Sequence, residues 1–244
     1  MKKQYILDNQ QSLFGHSEIC GFGLADFHVK IIDRDIANKL IVENHYSGKY
    51  YNATYIHLGV FLKSKLLGCL QFGYAMNPAS QESVVKNTGI KDYLELNRMW
   101  LHDCCPKNSE SMAISFAIKY IKKKHRNIRW IQSFADERCG KHGIVYQAAN
   151  FGYFGEHISL FWTLDNEVYH NSLMTRNPSL SVSAAHLQAN KERATSQELR
   201  QFRYLYFIHR SAEKDCILKR LRSEEHTSEL QSHLNLVCRL LLEK

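Results

Sequence analysis

Residues 93–101 read YLELNRMWL and residues 109–124 read SESMAISFAIKYIKKK, and the step from one to the other decides the fold. The first stretch alternates as a strand does, with Leu94, Leu96, Arg98 and Trp100 expected on one face and Glu95, Asn97 and Met99 on the other. The second places Met112, Phe116, Ile118, Tyr120 and Ile121 at helical spacing. Its last turn carries Lys122, Lys123 and Lys124, where cations suit the helix dipole. A strand feeding a long amphipathic helix is the basic unit of a mixed α/β sheet.

The neighbouring segments extend that unit in both directions. Residues 28–32 read as a short strand, and residues 34–44 as a helix with Ile36, Leu40 and Ile41 in register, Asp33 as N-cap and Gly48 as the stop. Residues 55–62 and 66–74 are apolar runs separated by Lys63-Ser64-Lys65, a hairpin signature. Beyond the long helix come an apolar strand at 128–134, a short helix at 143–150, and a last hairpin from 157–164 and 167–174. The predicted order is β, α, β, β, β, α, β, α, β, β: one mixed α/β sheet with helices on its faces. It occupies residues 28–176, with residues 1–27 as an N-terminal arm and residues 177–221 as a linker and basic-aromatic C-terminal extension. Whether the aromatic and basic stretch at 201–210 contacts nucleic acid or packs on the domain is left open by the sequence.

The chain has 244 residues, a net charge of +8 and seven cysteines without a C-x-x-C pair. Scattered cysteines in a chain of this size point to reduced thiols, and the positive charge favours a polyanionic partner. No apolar run approaches the length that spans a bilayer, and no signal-peptide core is present at the start. Residues 222–233 (RSEEHTSELQSH) match, when back-translated, one frame of a common sequencing-adapter oligonucleotide. Residues 222–244 are therefore expected to be adapter read-through. Without them the net charge is +9, so the basic character belongs to the rest of the chain.

The element order is that of the GNAT-type acyltransferases, in which the central strand and the helix that follows it splay open to admit an acyl donor. Acyl-CoA users of that fold place a glycine-rich loop ahead of the helix, where bare N–H groups hold a pyrophosphate. Here the segment is Pro106-Lys107-Asn108-Ser109-Glu110-Ser111, with a hydroxyl and a carboxylate suited to capping and no glycine. The motifs HYSG (45–48), LGVF (58–61), GCLQFGYAMNP (68–78), ELNRMW (95–100), NSES (108–111), SFAD (133–136) and YQAANF (146–151) resemble, in order and spacing, the Mom DNA-modification proteins of Mu-like phages.

That resemblance implies a GNAT-like enzyme of the infected host cytoplasm, acting on double-stranded DNA. It would convert adenine to its N6-carbamoylmethyl form and so block host restriction. The exocyclic amine of adenine is a weak nucleophile, so the site needs a proton acceptor, an oxyanion donor and a closely held acyl donor. His45 is the expected general base, with Tyr46, Ser47 and Tyr146 as hydrogen-bond or proton donors and Asp136 at the carboxyl edge of its strand. Arg98, Asn108, Ser109, Glu110 and Ser111 are the candidates for holding the donor. The atoms of the product favour glycyl-tRNA over acetyl-CoA as that donor. His102, Asp103, Cys104, Cys105 and His142 lack zinc-ligand spacing, and a single iron has no support in the spacing either.

Each of these residues also has a plain structural reading. His45 can end a helix, Ser109 and Glu110 can cap one, Arg98 can form an ion pair, and Tyr146 can pack. A non-catalytic nucleic-acid-binding module and a small-molecule N-acetyltransferase are the alternatives in function.

Overall fold

A computed structural model describes residues 6–11, 17–137 and 142–221. The read-through expected at 222–244 lies outside the described residues, as do parts of the N-terminal arm. Among the described residues, ten strands form one sheet in the order β1-β2-β3-β4-β5-β6-β7-β10-β8-β9. The left half is antiparallel: β1 (Ile6–Gln11), β2 (Ser17–Gly23), β3 (Phe27–Ile31), β4 (Thr54–Leu62), β5 (Lys65–Gly73) and β6 (Tyr93–Leu101). The crossover helix α2 (Ser109–Lys124) then makes β7 (Trp130–Asp136) parallel to β6. This is the mixed α/β architecture expected from the sequence.

Helix α1 (Arg34–Asn44) covers one sheet face, here the front, with Ala37 and Ile41 packed on Cys69 and Trp100. Helices α2 and α3 (Ile144–Ala148) cover the back. The main core lies beneath α2, where Ala113, Ile114, Ala117 and Ile121 meet Leu70, Phe72, Leu94, Leu96 and Ile131, all buried. Tyr93 stacks on Trp130 at 4.6 Å on the front face, in a second core closed by Val85, Leu205 and Ala212.

Three stretches differ from the sequence expectation. The arm contributes β1 and β2 to the sheet edge. The last expected strand, 167–174, ends early as β9 (Glu167–His170) and gives way to α4 (Ser172–Thr175), and the expected linker carries α5 (Val182–Ala189). The basic-aromatic stretch becomes β10 (Thr195–Phe207), wedged between β7 and β8 (Gly152–Leu164) and followed by α6 (Arg210–Asp215). Phe202, Tyr204 and Leu205 of β10 are fully buried, which gives those aromatics a packing role.

The alternation expected along β6 is also broken. Leu96 lies opposite Phe72 but Arg98 lies opposite Gln71, so Asn97 is an extra residue in a β-bulge. The extra residue reverses the parity of everything after it. Leu94 and Leu96 enter the back-face core, while Arg98 and Trp100 turn to the front, the face that Glu95 already occupies.

Candidate active site

Strands β6 and β7 pair over three residues only: Tyr93 with Trp130, Leu94 with Ile131, and Glu95 with Gln132. Beyond Glu95 they part, and Glu95 stands at the floor of the fork. Gln132 Nε2 donates to its Oε2 at 2.7 Å and Asn97 Nδ2 donates to its Oε1 at 3.0 Å. Asn97 Nδ2 donates also to the Tyr74 carbonyl at 3.1 Å, while Asn97 Oδ1 is buried with no hydrogen-bond partner among the described residues. Glu95 keeps a solvent-facing edge but is otherwise surrounded by protein. Burial pushes its carboxyl above the usual range, against the two amides, Arg98 and Arg203, which pull it down.

The second wall is the turn after α1. His45, not Gly48, is the C-cap, in extended backbone, and its N–H closes the last helical bond to Ile41 O at 2.9 Å. Gly48 takes φ +57° in the turn that follows, a left-handed conformation that suits glycine. Ser47 N–H donates to His45 Nδ1 at 3.1 Å, and Ser47 Oγ lies 2.8 Å from the same nitrogen. An Nδ1 that accepts a main-chain N–H leaves the ring proton on Nε2 in the neutral form. Neutral His45 is thus a donor through Nε2. Tyr46 lies against the ring at 4.2 Å and is otherwise exposed.

Arg98 joins the two walls. Its Nε donates to Lys49 O at 3.2 Å, the carbonyl that also accepts from Ser47 Oγ at 3.2 Å. Lys49 Nζ pairs with Glu167 at 2.8 Å and sits 4.7 Å over the Tyr169 ring, which ties the turn to β9. The structure therefore links His45, Ser47 and Arg98 through the Lys49 carbonyl, and Arg98 lies near enough to Glu95 to lower its carboxyl. The far wall carries Phe134, with His157 edge-on at 5.3 Å and the Arg203 guanidinium 5.3 Å over its ring. His157 and His170 are drawn below the usual histidine value, chiefly by burial. His170 and Ser172 repeat the His45–Ser47 geometry, with Ser172 N–H donating to His170 Nδ1 at 3.1 Å.

The other expected residues lie apart from this cluster. Asp136 is buried at the end of β7, on the front face opposite Gln201. Tyr146 is on the back, packed 5.4 Å from Tyr204 and 5.8 Å from Phe151. At α2, Asn108 is the N-cap in a left-handed conformation and no side chain caps the helix. Ser109 Oγ donates backwards to Pro106 O at 2.6 Å, so the expected hydroxyl cap is absent. Asn108 and Ser111 line an open groove of about 420 Å³ between α2 and α3, with Ser115, Lys119, Lys122 and Asn150. Among the described residues no group of three or more His, Cys, Asp or Glu is placed to hold a metal ion, and no helix is long and apolar enough to cross a membrane.

Glu95, Asn97, Gln132 and Arg203 are the residues that sequence reasoning missed. The first two were visible inside ELNRMW, but strict alternation placed Glu95 on the face away from Arg98. Gln132 and Arg203 meet Glu95 only through strand pairing that no local pattern encodes.

A model of the Mom protein family matches residues 26–227. A protein of Escherichia phage Mu named methylcarbamoylase Mom is 45% identical over 213 residues, which covers 87% of this chain and 88% of that one. Among solved structures, the ribosomal-protein-S5-alanine acetyltransferase of Vibrio fischeri superposes with a TM-score of 0.45 at 13% identity, over 77% of this chain and 96% of its own. The Arabidopsis thaliana protein NAA60, in complex with acetyl-CoA, gives 0.46 at 9% identity, over 75% and 99%. On the strength of the sequence matches, the chain belongs to the Mom protein family.

Proposed function

We propose that this protein is a transferase that converts adenine in double-stranded DNA to its N6-carbamoylmethyl form. The observation that carries the reading is the amide-held Glu95 at the strand fork of a Mom-family chain, with Arg98 bonded to the same Lys49 carbonyl that the His45–Ser47 turn holds. A raised carboxylate, oriented by two amides, suits the removal of a proton from a weakly nucleophilic amine. The Nε2–H of His45 and the guanidinium of Arg98 suit the oxyanion that forms as the amine adds to a carbonyl. A target base reaches such a cleft after leaving the stack.

The donor we favour is glycyl-tRNA. Attack by the adenine amine on the glycyl ester forms an N–C bond, breaks the C–O bond and releases the tRNA 3′-hydroxyl with the proton. The glycyl amine then attacks ring carbon 6 through a five-membered transition state. The bond from carbon 6 to the original nitrogen breaks, and that nitrogen leaves as the amide of the carbamoylmethyl group. Acetyl-CoA would need a further nitrogen and a new carbon–nitrogen bond at its methyl carbon.

The test is mass spectrometry of nucleosides from DNA incubated with the full chain and tRNA charged with ¹⁵N-glycine. Carbamoylmethyl-deoxyadenosine with the label on the ring-attached nitrogen is expected. Label in the amide would remove the rearrangement, and modification with acetyl-CoA alone would remove this donor. Tightly bound but unmodified DNA would identify a binding module instead.

A further inference from the structure

Leu180 and Val182 are 81% and 89% exposed, more than any other large hydrophobic side chain among the described residues. Covering such a side chain is worth roughly 1.5–3 kcal/mol, and single exposed apolar residues need no explanation. These two stand two positions apart on a turn that is built to hold them out. Asn177 Oδ1 accepts from Ser179 N–H at 3.0 Å, and Ser181 Oγ caps α5 by accepting from Ala184 N–H at 3.3 Å. Gln188 Nε2 donates to the carbonyls of Leu173 and Arg176 at 2.7 and 2.8 Å, which clamps the turn onto α5. Leu187 anchors α5 on Leu164 and Tyr169.

A chain of contacts ties the turn to the cleft. Tyr169, beneath α5, is the ring under the Lys49 ammonium, and the Lys49 carbonyl holds Arg98. Arg176 opens the turn, is exposed, and lies near enough to lower the Tyr51 phenol, which Glu95 in turn raises. Two side chains cover far less than the roughly 1,200 Å² of a stable protein interface. They do match a gap in a base stack, which minor-groove and kinking proteins fill with apolar wedges.

We propose that Leu180 and Val182 form the wedge that enters duplex DNA as the target adenine is turned into the cleft. The inference rests on the reading of the site as an adenine-modifying one. The double variant Leu180→Ser with Val182→Ser, in the full chain, tests it on a duplex and on the same strand alone. Modification of the duplex should fall by about tenfold or more, equivalent to the loss of a contact worth a little over 1 kcal/mol, with the single strand modified as before.

In a duplex carrying 2-aminopurine in place of its adenines, the wild-type protein should raise the fluorescence and the double variant should not. An unchanged duplex rate, or an equal loss on both substrates, would overturn the wedge. Loss on both together with a shift from dimer to monomer in light scattering would make a second copy the occupant. A wild-type protein that raises the fluorescence but modifies nothing would sink the chemistry and leave the wedge standing. One that raises no fluorescence would sink the wedge.

Discussion

Glu95 is held by two amides that favour its charged form, in surroundings that disfavour it. Its carboxyl is raised chiefly by burial, so the charged, proton-accepting form gains population as pH climbs above the usual carboxylate range. The modification rate should therefore rise with pH along a limb that belongs to Glu95. The groups facing Glu95 are Tyr51, Tyr93, Arg98 and Arg203, of which the two arginines oppose the shift. Glu95→Gln should lower the rate by about a hundredfold or more, the usual contribution of a general base, while DNA binding persists. Gln132→Met removes a donor to the carboxylate and should move the limb further up. A Glu95→Gln protein with the wild-type rate and profile would return the proton to His45, against the tautomer its Ser47 contact imposes.

At the scale of elements, the Lys49 side chain latches the turn after α1 to β9. Lys49 pairs with Glu167 across half-exposed side chains, a contact worth well under about 1 kcal/mol to stability. Lys49→Ala should leave the melting temperature within about 2 °C of wild type, since 1 kcal/mol corresponds to roughly 2–4 °C in a chain of this size. The rate should nevertheless fall, by about tenfold, because the Lys49 carbonyl that orients Ser47 and Arg98 is no longer tied to β9. Equal losses of stability and rate would make the contact a mere brace. The elements themselves were legible where local pattern decides them: β6 and α2 begin and end where their spacing and flanks predict. The bulge at Asn97 was not legible, because it is defined by a partner strand 26 positions away in the Gln71 pairing. β10 was hidden for the same reason. Its charged residues at 198, 200 and 203 interrupt the apolar pattern, and only its seat between β7 and β8 explains them: Arg200 meets Glu137 at 2.9 Å and Arg203 faces Glu95. His45, Ser47 and Arg98 stood out in the sequence as motif residues, whereas Glu95 did not.

At the scale of the whole molecule, four histidines among the described residues sit half-buried or buried where charge is disfavoured. His57, His125, His157 and His170 are each drawn below the ordinary value of 6.5, with burial as the largest cause. Between their folded values and 6.5 the unfolded chain binds more protons than the folded one, so stability rises with pH there. Their contribution is present above 6.5 and is lost as pH falls through it. Glu95 acts in the opposite sense: the fold raises its affinity for a proton, so acidification favours the native state through that one group. Glu137 and Glu167 are lowered by Arg200 and Lys49 and discharge only below the usual carboxylate range, outside this window. Four groups against one give the sign. The melting temperature should fall between pH 7.5 and 5.5, by several degrees at about 2–4 °C per kcal/mol. His157→Phe keeps an aromatic ring against Phe134 without a titrating group and should flatten that slope. A melting temperature that held constant or rose on acidification would mean that these rings accept their protons within the fold. The neutral, donor form assigned to His45 would then lose its nearest precedent, the matching His170–Ser172 turn.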